Sequence, residues 1–292
     1  MSRLTAGTSA RDALDGAITA IGAAGCETPR LDAEVMLAHI LGVSRARLLS
    51  DRDLTVEGPA IRAFQNAVRR RSVGREPVAY ITGTRGFRHL DLAVDPRALV
   101  PRPETELLVE VALGLPPGSH VLDLGTGSGA VALALKHERP DLELTGSDVS
   151  AEALDLAREN GERLGLEVRW LRSDLLQDLS DEFDAILANP PYVPEGERAT
   201  LAPEILRHEP SSALFAGADG LALVRQLIVQ AAALRRPRLL ALEIGAGQAP
   251  MVEELMRASG FAPVRSERDL AGIERVVVGE RPLAVEERSP AS

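Results

Sequence analysis

The first 74 residues carry apolar side chains at the spacing of amphipathic helices. Two stripes recur every three or four positions, at Leu14, Ile18 and Ile21 and again at Leu37, Ile40 and Leu41. This spacing places the apolar side chains on one face of a helix. Thr28-Pro29 suits the N-cap and first turn of the second helix. With a third helix over 59–71, the pattern predicts a small helical bundle over residues 1–74.

From about residue 99 onward, short apolar runs alternate with helical patterns. The runs that predict strands lie at 121–124, 142–146, 168–171, 183–188 and 239–244. Strands separated by helices favour a parallel sheet that is covered on both faces. The predicted fold class is therefore α/β: a Rossmann-like sheet that the helical bundle precedes in the sequence.

The pattern divides the chain into four segments. Residues 1–74 are the predicted bundle, and residues 75–98, which contain glycine and alternating apolar positions, predict a linking β-hairpin. Residues 99–281 form the predicted α/β domain. Residues 282–292 combine proline with charged residues and predict a flexible tail.

Composition limits the class of protein. A chain of 292 residues with 45% hydrophobic content suits one large or two modest domains. It has no run of about 18 apolar residues, and residues 1–10 lack the apolar core of a signal peptide. We therefore expect a cytoplasmic protein that does not span a membrane. Cys26 is the only cysteine and the five histidines lack metal-site spacing, so we expect neither an intrachain disulfide nor a bound metal.

The charge distribution weighs against direct binding of nucleic acid, because such a protein carries a basic footprint. The net charge is −10, although residues 1–90 contain 13 Arg against 9 Asp and Glu, a balance of +4, which leaves −14 for the remainder. The cluster Arg69-Arg70-Arg71 with Arg75 ends the third predicted helix. It is typical of a solvated helix end, or alternatively of a surface that docks an acidic partner.

A glycine-rich turn follows the first predicted strand of the α/β part. Residues 121–129 read Val-Leu-Asp-Leu-Gly-Thr-Gly-Ser-Gly. Gly125, Gly127 and Gly129 permit a tight turn and close approach of a ligand to the backbone. Asp148 ends the next strand about 20 residues later, where an acid is placed to accept hydrogen bonds from ribose hydroxyls. The third glycine comes one residue early for a dinucleotide fingerprint, which disfavours NAD, and the absence of a P-loop sequence disfavours a P-loop ATPase.

Two other acids border the same predicted site. Asp123 directly precedes the glycine loop, and an acid there suits an ammonium group better than a pyrophosphate. The alternative is an aspartate that caps a helix or braces the loop. Asp174 ends the strand at 168–171 and is placed to accept from an adenine amino group, or else to close an Asx turn.

The most informative stretch is Asn189-Pro190-Pro191-Tyr192, directly after the apolar run at 183–188. Two prolines end the strand and hold the backbone extended. They donate no hydrogen bond, so the carbonyls of Asn189 and Pro190 and the Asn189 side-chain oxygen remain as acceptors. Tyr192 adds a flat apolar face. The group suits a planar ligand that bears an NH2, such as a carboxamide or the exocyclic amine of a base; a plain turn is the alternative.

Together these motifs resemble those of class I S-adenosylmethionine-dependent methyltransferases of the amino-methylating kind. Further blocks at 76–83, 99–106 and 209–221 resemble segments of the HemK/PrmC family, and the resemblance covers about residues 31–279. It implies a Rossmann-like, seven-stranded methyltransferase sheet whose last strand pair, which includes 276–279, is antiparallel at one edge. The Asn-Pro-Pro-Tyr motif alone also occurs in adenine-N6 DNA methyltransferases and in some rRNA methyltransferases.

The resemblance implies transfer of a methyl group from S-adenosylmethionine to the glutamine side-chain amide in the Gly-Gly-Gln loop of bacterial peptide chain release factors. The predicted cofactor-binding residues are Asp123, Gly125, Thr126, Gly127, Ser128, Gly129, Asp148, Asp174, Leu175 and Asn189. The predicted catalytic residues are Asn189, Pro190 and Tyr192, and the predicted substrate-binding residues are Asn189, Pro190, Pro191 and Tyr192. Leu175 stands where some family members carry a tryptophan.

The 101–106 block begins a helix at Pro103. The resemblance favours a segment that covers the cofactor, with Arg102, Glu104 or Thr105 near its methionine end; a simple helix start is the alternative. Three other functions stay open: methylation of a ribosomal-protein glutamine, methylation of a nucleic-acid amino group, and a binding module without catalysis.

Overall fold

The computed structural model describes residues 7–177, 179, 183–234 and 237–281. The predicted tail at 282–292 lies outside them. The described chain divides into two compact units, which are presented separately. One consists of the residues up to Thr84 together with Leu201–Glu209, and the other of Arg85–Thr200 and the residues from Pro210 onward.

The first unit is a helical bundle. Its elements up to Thr82 are β1 (Thr8–Ser9), α1 (Ala10–Ala23), α2 (Pro29–Leu41), α3 (Arg45–Ser50), β2 (Thr55–Val56), α4 (Pro59–Ser72) and α5 (Val78–Thr82). The predicted stripes form its core, where Leu14, Ile21 and Leu37 are buried. Helix α3 and the antiparallel pair β1–β2 were not predicted. The segment predicted as a hairpin begins instead with α5, and its two strands are β3 (Thr84–Phe87) and β4 (Leu90–Ala93).

A buried ion network holds Leu201–Glu209 within the bundle. Arg71 is 6% exposed; its Nε donates to Asp32 Oδ2 at 2.6 Å and its Nη2 donates to Glu204 Oε1 at 3.0 Å. Arg75 Nη2 donates to the other oxygen of Glu204 at 2.6 Å. The expectation of a solvated or partner-docking cluster is therefore wrong for Arg71 and Arg75, because buried guanidinium groups need such internal carboxylate partners.

The second unit is built on a seven-stranded sheet in the order β10-β11-β9-β8-β5-β6-β7. Its strands are β5 (His120–Leu124), β6 (Glu143–Asp148), β7 (Arg169–Arg172), β8 (Ala185–Ala188), β9 (Leu239–Glu243), β10 (Val264–Arg268) and β11 (Glu274–Glu280). Strands β5 to β9 pair in parallel, and β11 is antiparallel to both of its neighbours. The predicted α/β class, seven-stranded sheet and antiparallel edge pair are confirmed.

Helices alternate with these strands along the chain. They are α6 (Glu106–Leu113), α7 (Ala130–Glu138), α8 (Ala151–Leu164), α10 (Ala222–Ala233) and α11 (Ala249–Ala258), while α9 (Pro203–His208) belongs to the bundle. Strands β8 and β9 are buried along their whole length, as their apolar runs predict. Within the described ranges, no helix has the length and apolar character needed to cross a bilayer.

The order of the strands determines where a ligand can bind. The chain passes from β5 outward to β6 and β7, then returns to β8 on the other side of β5. The connections therefore diverge at the carboxyl ends of β5 and β8. In open α/β sheets this switch point leaves a crevice, and the glycine loop and the diproline corner both emerge there.

Candidate active site

A cavity of about 330 Å³ lies at the carboxyl ends of β5, β6, β7 and β8. It lies entirely in the second unit. Its lining includes 123–128 from the glycine loop, Asp148 and its neighbours, the corner 189–191, the flanking segment 96–102, and Pro210, Ser212 and Ala213. The two most informative sequence motifs thus share one cavity.

The glycine loop turns through a left-handed backbone that side chains rarely adopt. Gly125 and Gly127 have φ values of 72° and 56°. The amides of Gly125 and Thr126 both donate to Ser147 O, at 2.8 and 2.9 Å, which fixes the loop against β6. A Cβ at Gly125 would meet no atom within 4 Å, so the backbone there has open space beside it. Thr126 and Ser128 are buried and also line the cavity.

Gly129 has a different environment from the other two loop glycines. Among the described residues, the cavity lining includes Gly125 and Gly127 but not Gly129. A Cβ at Gly129 would lie 3.0 Å from Leu133 Cδ1 and 3.0 Å from Trp170 Cη2. The structure therefore places this predicted cofactor ligand in a packing position, where its small size lets α7 start close to the Trp170 ring.

Asp123 braces the loop, which was the alternative interpretation. Its Oδ2 accepts from Thr126 Oγ1 at 2.6 Å and from the Ala132 amide at 3.1 Å. Burial raises the pKa of Asp123 to about 6, against the lowering effect of these two hydrogen bonds. The residue still borders the cavity.

Asp148 occupies the predicted position at the end of β6. Its Oδ2 accepts from the Gly127 amide at 3.0 Å and its Oδ1 from the Ser150 amide at 2.9 Å. Burial raises the pKa of Asp148, while these backbone hydrogen bonds favour the charged form. Each oxygen keeps a second lone pair, so the carboxylate can accept from a ligand hydroxyl while it holds the loop.

Asp174 and Leu175 both line the cavity, as predicted. Asp174 is exposed. Leu175 has a φ of 51°, an uncommon conformation for a residue with a side chain, and its carbonyl accepts from Ser173 Oγ at 2.8 Å. The cavity wall here is aliphatic. Trp170 is half-buried and packs against β6, where a Cβ at Gly146 would lie 2.3 Å from its Cζ3.

The diproline corner forms part of the cavity wall. Asn189, Pro190 and Pro191 line it, and the Asn189 side-chain nitrogen donates to Thr105 Oγ1 at 3.2 Å. The carboxamide oxygen is the only acceptor of this side chain, so it is the atom that can accept from a ligand. Arg102 and Thr105 also line the cavity.

Tyr192 is half-buried beside the corner and is not among the described residues that line the cavity. The described residues that line the cavity stop at Pro191 in this segment. The Tyr192 hydroxyl lies 3.5 Å from Glu243 Oε1, and its backbone carbonyl accepts from Gln248 Nε2 at 3.0 Å. Burial raises the pKa of the Tyr192 hydroxyl, and the nearby Glu243 carboxyl raises it further. The direction of this ring depends on partners about 50 residues away, which the local sequence does not specify.

Glu243 and Gln248 are the contacts of the corner that sequence reasoning missed. Glu243 was included only as part of the apolar run at 239–244. The signal that could have identified it is a lone acid within an otherwise apolar, buried strand. Burial of a carboxyl costs free energy unless the group is hydrogen-bonded or paired with an opposite charge. Across the described residues, no three His, Cys, Asp or Glu side chains group as a metal site requires.

Comparisons with known proteins show the family of this chain. Residues 12–83 match the PrmC N-terminal domain, and residues 103–237 match the methyltransferase small domain. The chain is 41% identical over 276 residues to a release factor glutamine methyltransferase of Rhodospirillum rubrum, covering 93% of this chain and 85% of the relative. A relative of the same description from Deinococcus radiodurans is also 41% identical, with 93% and 98% covered. The crystal structure of a methyltransferase from Pyrococcus furiosus is 20% identical, with a TM-score of 0.51 over 66% of this chain and 89% of that one, which supports the fold.

The fold and the site define a methyltransferase of the α/β class. The match of residues 12–83 to the PrmC N-terminal domain and the relatives that cover 93% of this chain define the family more closely. The chain belongs to the release factor glutamine methyltransferase family.

Proposed function

We propose that this protein transfers a methyl group from S-adenosylmethionine to the glutamine side-chain amide in the Gly-Gly-Gln loop of peptide chain release factors. One observation carries the proposal: the glycine loop and the Asn189-Pro190 corner line the same cavity. This shared lining supports a cofactor site and an acceptor site for a planar amide within one cavity. The relatives named as release factor glutamine methyltransferases support the choice of substrate.

The residues of the cavity fit S-adenosylmethionine. Gly125 and Gly127 bring the backbone close to a ligand, Asp148 offers acceptors for the ribose hydroxyls, and Asp174 offers one for the adenine amino group. Leu175 supplies an apolar surface beside Asp174. A volume of about 330 Å³ falls within the range of small-molecule sites. When bound, the cofactor supplies a methyl group on a positively charged sulfur, which needs no metal for activation.

The diproline corner compensates for the low reactivity of the substrate amide nitrogen. A carboxamide nitrogen reacts poorly because its lone pair is delocalised into the carbonyl. Asn189 Oδ1 and the Pro190 carbonyl each accept one N–H of the substrate amide, which directs the nitrogen toward the cofactor side of the cavity. The same two acceptors stabilise the positive charge that develops on nitrogen. The surplus proton then leaves to water.

The helical bundle docks the body of the release factor in this proposal, and the α/β unit receives the exposed loop. The test is methylation of purified release factor and of purified ribosomal proteins with labelled S-adenosylmethionine, followed by mass spectrometry of the modified peptide. We expect one methyl group on the glutamine of the Gly-Gly-Gln peptide. Label that appears only on a ribosomal protein would overturn the choice of substrate.

Asp148→Asn should weaken S-adenosylmethionine binding by about 10- to 100-fold. The substitution puts an NH2 donor where two backbone amides, those of Gly127 and Ser150, and the ribose hydroxyls all need an acceptor. Calorimetry measures the Kd directly. Asp155→Asn is the control, since Asp155 is exposed on α8 and pairs only at the surface with Arg158. Equal Kd values for both variants would remove Asp148 from the cofactor site.

A further inference from the structure

Gln248 makes hydrogen bonds with both ends of its side-chain amide. The residue is half-buried and directly precedes α11. Its Oε1 accepts from the Gly245 amide at 2.8 Å. Its Nε2 donates to the Tyr192 carbonyl at 3.0 Å and, over a longer distance of 3.4 Å, to the Asp219 carbonyl. One side chain therefore links three segments of the α/β unit: the turn after β9, the exit of the diproline corner and the loop before α10.

The partners of Gln248 fix the direction of its carboxamide. A backbone N–H can only donate, and a carbonyl can only accept. The Gly245 amide therefore needs the oxygen of Gln248, and the two carbonyls need its NH2. The reversed amide would set donor against donor and acceptor against acceptor. This site thus requires a side chain that accepts at one end and donates at the other.

The turn that carries Gln248 is anchored to the central sheet. The Ile244 amide, directly after β9, donates to the Arg275 carbonyl of β11 at 2.8 Å, and the Gln248 amide donates to the Gly245 carbonyl at 3.2 Å. The same turn packs against the Tyr192 ring, since a Cβ at Gly245 would lie 3.3 Å from Tyr192 Cδ2. Gln248 therefore ties the exit of the corner to the sheet.

The diproline corner is stiff, so the position of its exit affects the residues before it. The corner begins directly after β8, which is buried and paired with a strand on each side. Pro190 and Pro191 lock their own φ angles, and each restricts the residue that precedes it. The backbone between β8 and Tyr192 has little freedom to absorb a shift. A displaced Tyr192 carbonyl therefore moves the oxygens of Asn189 and Pro190.

We infer that Gln248 is a positioning residue for methyl transfer: by holding the Tyr192 carbonyl, it fixes the exit of the diproline corner and thereby the two acceptors that orient the substrate amide. The inference rests on the function proposed above and adds a residue to it. Gln248 is not among the described residues that line the cavity, so it acts through the corner. Val193 exchanges backbone hydrogen bonds with Leu214 and Ala216, so loss of Gln248 should displace the corner without releasing it.

The first experiment compares Gln248→Glu with the wild type on purified release factor. An ionised carboxylate has the shape of the amide but cannot donate, so it opposes the carbonyls of Tyr192 and Asp219. We expect kcat to fall by about tenfold, with the KM for release factor and the Kd for S-adenosylmethionine close to those of the wild type. Gln226→Glu makes the same change at an exposed position of α10 and is the control, which should behave as the wild type.

The pH dependence of Gln248→Glu distinguishes a lost donor from general damage to the fold. The two nearby carbonyl oxygens favour the protonated form of the introduced carboxyl, because the neutral acid can donate to one of them. The activity of this variant relative to the wild type should therefore rise as the pH is lowered. A ratio of the two activities that stays the same at every pH would overturn the inference.

A second variant does not depend on the behaviour of an introduced charge. Gln248→Met removes both hydrogen-bonding ends at similar size, so its kcat should also fall by about tenfold, without recovery at low pH. A Gln248→Met enzyme with wild-type kcat would contradict the role of Gln248.

Nuclear magnetic resonance separates this inference from the choice of substrate. The chain has two tyrosines, so in protein labelled at the tyrosine carbonyl carbon the Tyr192 signal is the one that remains in Tyr80→Phe. We expect this signal to shift in Gln248→Glu and Gln248→Met and not in Gln226→Glu. Such shifts together with a wild type that is inactive on release factor would support the hold on the corner and refute only the proposed function. A Tyr192 signal that stays in place in both Gln248 variants would refute the hold itself.

Discussion

Replacing Asn189 with alanine should lower kcat for glutamine methylation by at least about 100-fold. The substitution removes the side-chain oxygen that accepts from the substrate amide and leaves only the Pro190 carbonyl to orient it. The acceptor nitrogen then samples many directions, and its developing charge loses one of two acceptors. Single-turnover assays with purified release factor measure the effect on the chemical step.

Cofactor affinity provides the internal control for Asn189→Ala. The contacts assigned to S-adenosylmethionine are mostly on the glycine loop and Asp148, which this change leaves intact. Its Kd, measured by calorimetry, should therefore stay close to that of the wild type. A variant with near-normal kcat would contradict the role of Asn189 as acceptor. A variant that loses cofactor binding would assign the residue to the cofactor instead.

The sequence predicts those parts of the site whose position depends on the backbone: the strands, the glycine loop and the diproline corner. Apolar runs predict the strands, and the carboxyl ends of parallel strands share one edge of a sheet. The loop at Gly125–Gly129 and the corner at Asn189 each follow such a strand directly, so both were expected at one site. The prolines hold the corner in an extended form without help from distant residues.

Other features of the structure depend on side chains that meet only in the folded protein, and the local sequence did not predict them. Tyr192 points toward Glu243, 51 positions away, and Arg71 pairs with Glu204, 133 positions away. A Cβ at Gly129 would meet the Trp170 ring, whereas a Cβ at Gly125 would meet no atom within 4 Å. A short segment of sequence does not specify such distant partners. Local patterns therefore predicted a cofactor contact for Gly129, a substrate contact for Tyr192, and a solvated or partner-docking position for Arg71.

Gly220→Ala should displace the diproline corner, although Gly220 is not part of the corner in the sequence. Gly220 has a φ of 75°, and a Cβ there would lie 2.1 Å from the Tyr192 carbonyl oxygen and 2.9 Å from its carbon. The obstacle is backbone, so it cannot be relieved by rotation of a side chain. The strand exit at Tyr192 must move, and the hydrogen bond from Gln248 to that carbonyl must break or shift. We expect a loss of about 3 kcal/mol or more in the free energy of unfolding, and at least about a tenfold loss of kcat in the folded fraction.

Gly247→Ala is the matched control for this prediction. Gly247 has a φ of 83°, but a Cβ there would meet no atom within 4 Å. This variant carries only the strain of a left-handed residue, about 1 to 2 kcal/mol, and leaves the corner in place. Urea denaturation and kcat measured on both variants distinguish strain from displacement. If the two proteins lose stability and activity equally, the contact between Gly220 and Tyr192 does not hold the corner, and the conformation of the glycine alone explains the effect.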